Sequence, residues 1–64
     1  MITVNGVTQE HVDETVNDLV QRLGIEPRGI AVAIDGEIVR RADWGEIPII
    51  NESVIEIVTA VAGG

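Results

Sequence analysis

Cysteine is absent from the 64 residues, as are lysine, phenylalanine and tyrosine, and one tryptophan is the whole aromatic content. Without cysteine there is no disulfide framework, no thiolate metal site and no thiol nucleophile, so a small core must hold by packing alone. Long apolar runs are missing as well. Nothing approaches the roughly 20 residues that span a bilayer, and the opening MITVNG has neither the basic segment nor the apolar stretch of a signal peptide. The expected setting is the cytoplasm. Basic residues are scarce: four arginines stand against eleven acidic residues, for a formal net charge of −7. That field repels phosphate backbones and anionic membranes, so neither nucleic acid nor a membrane is an expected partner. It would draw the chain toward a basic protein surface, and it serves solubility equally well.

What is present is a 45% hydrophobic composition made mainly of Val, Ile and Ala, which suits a β-rich core of branched side chains. A chain of this length makes one domain, and it buries only about 60 per cent of its unfolded surface, leaving no room for a large enclosed active site.

Ile2 and Val4 alternate with polar neighbours at the two-residue period of a half-buried strand. Asn5-Gly6 then predicts a type I′ hairpin turn, with Val7 to about Glu10 folding back as a short edge strand. Val16, Leu19, Val20 and Leu23 fall at i, i+3, i+4 and i+7, one stripe of a helix. Thr15 and Asp18 fit a capping box, with Asp13 as the competing cap, and Gly24 supplies the stop. In Ile30 to Ile34 the isoleucines and Val32 should face the helix, and Ala31 and Ala33 should face outward. Asp35-Gly36 predicts a second hairpin, returning through Glu37 to Val39. Arg40 to about Asn51 reads as irregular connection with room for a helical turn, and a last strand runs from about Val54 to Val61. Two hairpins, one helix and a final apolar strand make an α+β pattern in which the helix covers one sheet face.

Enzyme signatures are missing: one His, no glycine-rich phosphate loop, and no carboxylate pair placed in a cleft. His11 sits in a polar segment and reads as solvated surface. Trp44 reads as a lid over one end of the core, with a partner contact as the alternative. Asp13, Glu14 and Asp18 read as a solvated helix face, with docking as the alternative. The terminus is different. Thr59 to Ala62 run from a core strand into Gly63-Gly64; with glycine at about 7 per cent, about one chain in 200 ends so by chance. Residues without Cβ make a slim thread that could carry a carboxylate into a narrow site on another protein, although a frayed end is the ordinary meaning.

Asp35-Gly36-Glu37-Ile38-Val39 followed by Arg41-Ala42-Asp43-Trp44, and Ile55-Glu56-Ile57-Val58 followed by Ala60-Val61 and Gly63-Gly64, resemble the hairpin, R-x-x-W segment, last strand and tail of the ThiS family, the sulfur carrier proteins of thiamine biosynthesis. The likeness extends to Asn5-Gly6 and the Thr15-to-Gly24 helix and so covers essentially the whole chain. Three departures stand out: Arg40 where many members have proline, Asn51-Glu52-Ser53 in place of a Gly-Asp turn, and Ala62 where a third glycine is frequent.

The resemblance implies a ubiquitin-like β-grasp: a mixed sheet of four to five strands, first and last strands parallel at its centre, and one helix on one face. It implies a domain at 1–61 and a flexible tail at 62–64. It further implies a carrier, not an enzyme and without a cofactor of its own. The Gly64 carboxylate would be adenylated by a ubiquitin-activating-type adenylyltransferase with ATP and magnesium. A persulfide on a sulfur donor protein would then convert it to a thiocarboxylate, whose sulfur passes to thiazole synthase. Ala62 and Gly63 would thread the activating site, while Val58 and Ala60 would dock on its surface. Carriers for other pathways, such as the small subunit of molybdopterin synthase or a cysteine-forming carrier, share the same fold and ending. A ubiquitin-like modifier of lysines or a plain interaction module are the readings from other classes.

Overall fold

The computed structural model describes residues 1–59; the expected reach of the last strand to Val61, and Ala60, Ala62, Gly63 and Gly64, lie outside the described residues. The order is β1 (Ile2–Val4), β2 (Val7–Gln9), α1 (Val16–Arg22), β3 (Ile30–Ile34), β4 (Glu37–Val39), a short 3-10 turn (Arg41–Asp43) and β5 (Val54–Thr59). The five strands form one sheet in the order β2-β1-β5-β3-β4. β1 and β5 are parallel neighbours at its middle, and every other pairing is antiparallel. This is the mixed β-grasp sheet expected from the sequence.

Both predicted hairpins form. Asn5 and Gly6 have φ of 50 and 82, and Asp35 and Gly36 have 51 and 87, the paired positive angles that a type I′ turn demands. Helix α1 starts where Thr15 accepts from the Asp18 N–H at 3.2 Å while the Asp18 carboxylate accepts from the Thr15 N–H at 3.1 Å. Two more of its first amides are used elsewhere in the fold: Val16 N–H donates to Ile47 O and Asn17 N–H to Trp44 O. These bonds satisfy the orphan donors at the start of the helix.

Ile2, Val4, Val16, Leu19, Val20, Val32, Ile49, Ile55 and Ile57 make the core together with Trp44, and half-buried Ile30 and Ile34 pack against it. Trp44 is fully part of this core at 3% exposure. Its indole N–H donates to Val39 O at 3.1 Å, the partner a buried tryptophan needs. The Arg41 guanidinium lies 5.8 Å from the ring centre on the outside.

One expectation about a polar residue changes, and another holds with an added contact. Glu14 does not belong to a solvated face: its side chain is buried and accepts two hydrogen bonds from Arg22, at 3.0 and 2.8 Å. This bidentate pair, made before the helix from a residue in its last turn, offsets the cost of burying the carboxylate. The hydrogen bond to Glu14 and its negative charge hold the Arg22 guanidinium above its ordinary pKa, against the opposing effect of burial. His11 is exposed as a residue yet tethered, its Nε2 donating to Ile49 O at 2.8 Å. Together with Ile49 N–H donating to Glu14 O, this bond ties the segment before α1 to the segment before β5.

Candidate functional site

Strand β5 has two unlike faces. Ile55 and Ile57 point into the core, while Val54 and Val58 stand 51% and 57% exposed on the other side of the sheet. The register tells what surrounds them. Ala31 pairs with Val58 and Ala33 with Glu56, and Ala33 also pairs with Ile38, which is 68% exposed on β4. Cross-strand partners share a face, so Val58, Ala31, Ala33 and Ile38 form an apolar field around the Glu56 carboxylate. Thr3 and Thr8, paired with each other, extend it on β1 and β2 with small polar groups. Helix α1 covers the opposite face, with Trp44 and Ile49 packed beside it.

The alanines matter here. With methyl groups at 31 and 33 the surface stays low beside β5, so a partner can approach the strand closely, with Val58 and Ile38 as the raised apolar groups. The single acid asks for a cation on whatever covers it, because an unpaired carboxylate is costly to bury. No arginine of this chain forms an ion pair with Glu56; the ion pairs among described residues are Arg22–Glu14, Arg28–Glu26 and the N-terminus with Glu52.

A cleft of about 340 Å³ lies at the far end of β5, between the β3–β4 hairpin and residues 47–53, lined among others by Ile34, Val39, Ile47 and Ile50, with Asp35, Glu37 and Glu52 at its rim. Its serine, Ser53, is buried with its hydroxyl donating to Ile50 O, and the lining contains no His, Lys or Arg. Acid–base or nucleophilic chemistry has no pair of groups to work with there. Among the described residues, no three His, Cys, Asp or Glu side chains gather where a metal ion could sit. No helix among them is long and apolar enough to cross a membrane.

Of the site residues expected from the sequence, Val58 is on the exposed face; Ala60, Ala62, Gly63 and Gly64 lie outside the described residues. Sequence reading missed Ile38, Val54 and Glu56 as members of the same surface. Outward alanines at 31 and 33 were the available signal, but which strand lies beside them is a matter of register, and periodicity within one strand carries none of that.

A single helix laid on a mixed sheet whose central parallel strands are the first and the last defines a ubiquitin-like β-grasp domain. The ThiS family model matches residues 2–64, and the chain belongs to the ThiS family. It is 25% identical over all 64 residues to the sulfur carrier protein ThiS of Thermus thermophilus, each chain covered in full. The crystal structure of a thiamine biosynthesis protein (ThiS) from Geobacter metallireducens superposes with a TM-score of 0.82 at 22% identity, over 98% of this chain and 97% of that one. A solution structure of a thiamine biosynthesis protein from the same organism gives 0.74 at 21% identity, over 98% and 86%. At those identities the two structures speak for the fold.

Proposed function

We propose that this chain is a sulfur carrier of thiamine biosynthesis, a protein substrate for other enzymes, with its working atoms at the Gly64 carboxylate. The observation that carries the reading is the family match running through residue 64, on a domain whose last strand leads from the core toward that terminus with an apolar face uncovered.

A carboxylate is a poor electrophile because its charge is shared over both oxygens. Attack of a Gly64 oxygen on the α-phosphorus of ATP, catalysed by a ubiquitin-activating-type adenylyltransferase, releases pyrophosphate and leaves an acyl-adenylate with AMP as a good leaving group. The terminal sulfur of a persulfide on the donor protein displaces AMP; a second thiol of the donor then attacks the S–S bond, forming a donor disulfide and freeing the Gly64 thiocarboxylate. Thiazole synthase takes the sulfur from there. With no cysteine in the chain, no internal thiol competes for the activated carbonyl. Within this scheme the β-grasp body, 1–61, docks through Val58 and Ala60, and Ala62 and Gly63 thread the site. Glu56, between Val54 and Val58, meets a basic group of the partner.

The test is the intact mass after incubation with ATP, a ubiquitin-activating-type enzyme and a persulfide donor. A gain of about 16 Da, sulfur for oxygen, is expected, and it vanishes when Gly64 is deleted; no gain with any such enzyme overturns the reading. Val58→Asp tests the docking face: an unchanged circular dichroism spectrum with loss of the mass gain is expected, and a normal gain removes Val58 from the interface.

A further inference from the structure

Ladder pairing of β1 with β5 stops early, at Thr3 with Val54 and Val4 with Ile55, whereas β5 continues to Thr59. The Asn5 N–H still reaches Ile55 O at 2.9 Å. In a parallel ladder the next two bonds would join Ile57 N–H to the carbonyl of residue 5, and the N–H of residue 7 to Ile57 O. The positive φ of Asn5 sends the backbone into the turn instead. Its side chain takes both vacated places: Oδ1 accepts from Ile57 N–H at 2.8 Å, and Nδ2 donates to Ile57 O at 3.0 Å. A carboxamide offers the acceptor and donor of a peptide unit, so Asn5 continues the ladder beyond the strand to which it belongs.

We propose that Asn5 is a positioning residue for the C-terminal tail, holding β5 as a two-sided strand through Ile57 so that the chain leaves the domain in a defined direction. On the other side β3 pairs with β5 as far as Ile30 with Thr59. Without the carboxamide, β5 would be held from the β3 side alone in its last residues, and strand ends held on one side open readily. A tail that starts from a wandering end places its carboxylate at the reacting phosphate less often, which costs rate even when the docking face binds normally. The inference rests on the sulfur-carrier reading.

Asn5→Gly keeps the positive-φ turn and removes both bonds. Ile2→Val, a small loss of core packing at the start of β1 that leaves both Asn5 side-chain bonds in place, serves as the stability control. Two readouts are taken where circular dichroism shows all forms folded: amide exchange at Ile57 relative to Ile55, and kcat and KM for pyrophosphate release by the activating enzyme. In Asn5→Gly we expect Ile57 exchange to rise about tenfold against Ile55, and kcat to fall on the order of fivefold with KM unchanged. Ile2→Val should move neither. Unchanged Ile57 exchange overturns the clamp. Faster exchange with wild-type kcat, or an equal kcat loss in Ile2→Val, overturns the positioning role. A wild-type chain that no such enzyme activates overturns the sulfur-carrier reading first and takes the positioning role with it.

Discussion

The two hairpin turns have the same backbone and different first residues, Asn5-Gly6 and Asp35-Gly36, and both grip β5. Asp35 does so near its start, where its own N–H donates to Val54 O at 2.8 Å and its Oδ1 accepts from Val54 N–H at 2.9 Å. There the main chain already serves the carbonyl, so an acceptor is all the side chain must supply, and a carboxylate suffices. Asn5 meets Ile57 with its side chain alone and must both donate and accept, which among the usual residues of this turn position only asparagine does. Residues that look interchangeable as turn formers are thus distinguished by the strand they hold.

Exchanging the two side chains breaks the comparison most sharply. Asn5→Asp leaves Ile57 O without its donor and sets a carboxylate oxygen against it, at a cost of about 2 to 3 kcal/mol in urea unfolding; a cost under about 0.5 kcal/mol would mean that the donor half of the clamp is idle. The glycines serve as the control, since a Cβ at Gly6 or Gly36 meets nothing within 4 Å. Gly6→Ala and Gly36→Ala should therefore each lose about 1 to 2 kcal/mol for the left-handed backbone alone, and unequal losses would place the difference between the turns in the backbone. Besides Asn5 and Asp35, a third non-glycine residue has positive φ, Glu52 at 73, and no glycine follows it. Its exposed ion pair with the N-terminus, 3.4 Å long, is worth little, so Glu52→Gly should raise the unfolding midpoint, by about 0.5 kcal/mol in stability. Asp35→Asn, which keeps the acceptor, should change stability least, by under about 0.5 kcal/mol.

Much of this molecule was legible in its sequence. The capping box of Thr15 and Asp18, the helical stripe from Val16 to Leu23 and the two Xxx-Gly turns depend on contacts within a few residues, and each formed as expected. Trp44 was expected as a partly buried lid over one end of the core and is buried more completely than that, with its indole N–H bonded to Val39 O five residues away. Glu14 went astray for a reason of distance in space: its partner Arg22 is brought round by two turns of helix, and an acid in a polar segment gives no sign of such a neighbour. The exposed face was half visible, in outward Ala31 and Ala33 and in Val58, while Ile38 and Glu56 joined it through the register of β3 with its two neighbours.

By itself the sequence determined the elements, their order, the chemistry available and the family, since periodicity, turn residues and composition act locally and the motifs stand in one line. The tertiary structure alone decided which strands lie side by side, and so which residues share the open face and which atom each side chain reaches. Asn5 and Ile57 are 52 residues apart in the chain, and only a folded sheet that sets β1 beside β5 brings a turn-forming amide within hydrogen-bonding distance of the strand that leads to the terminus.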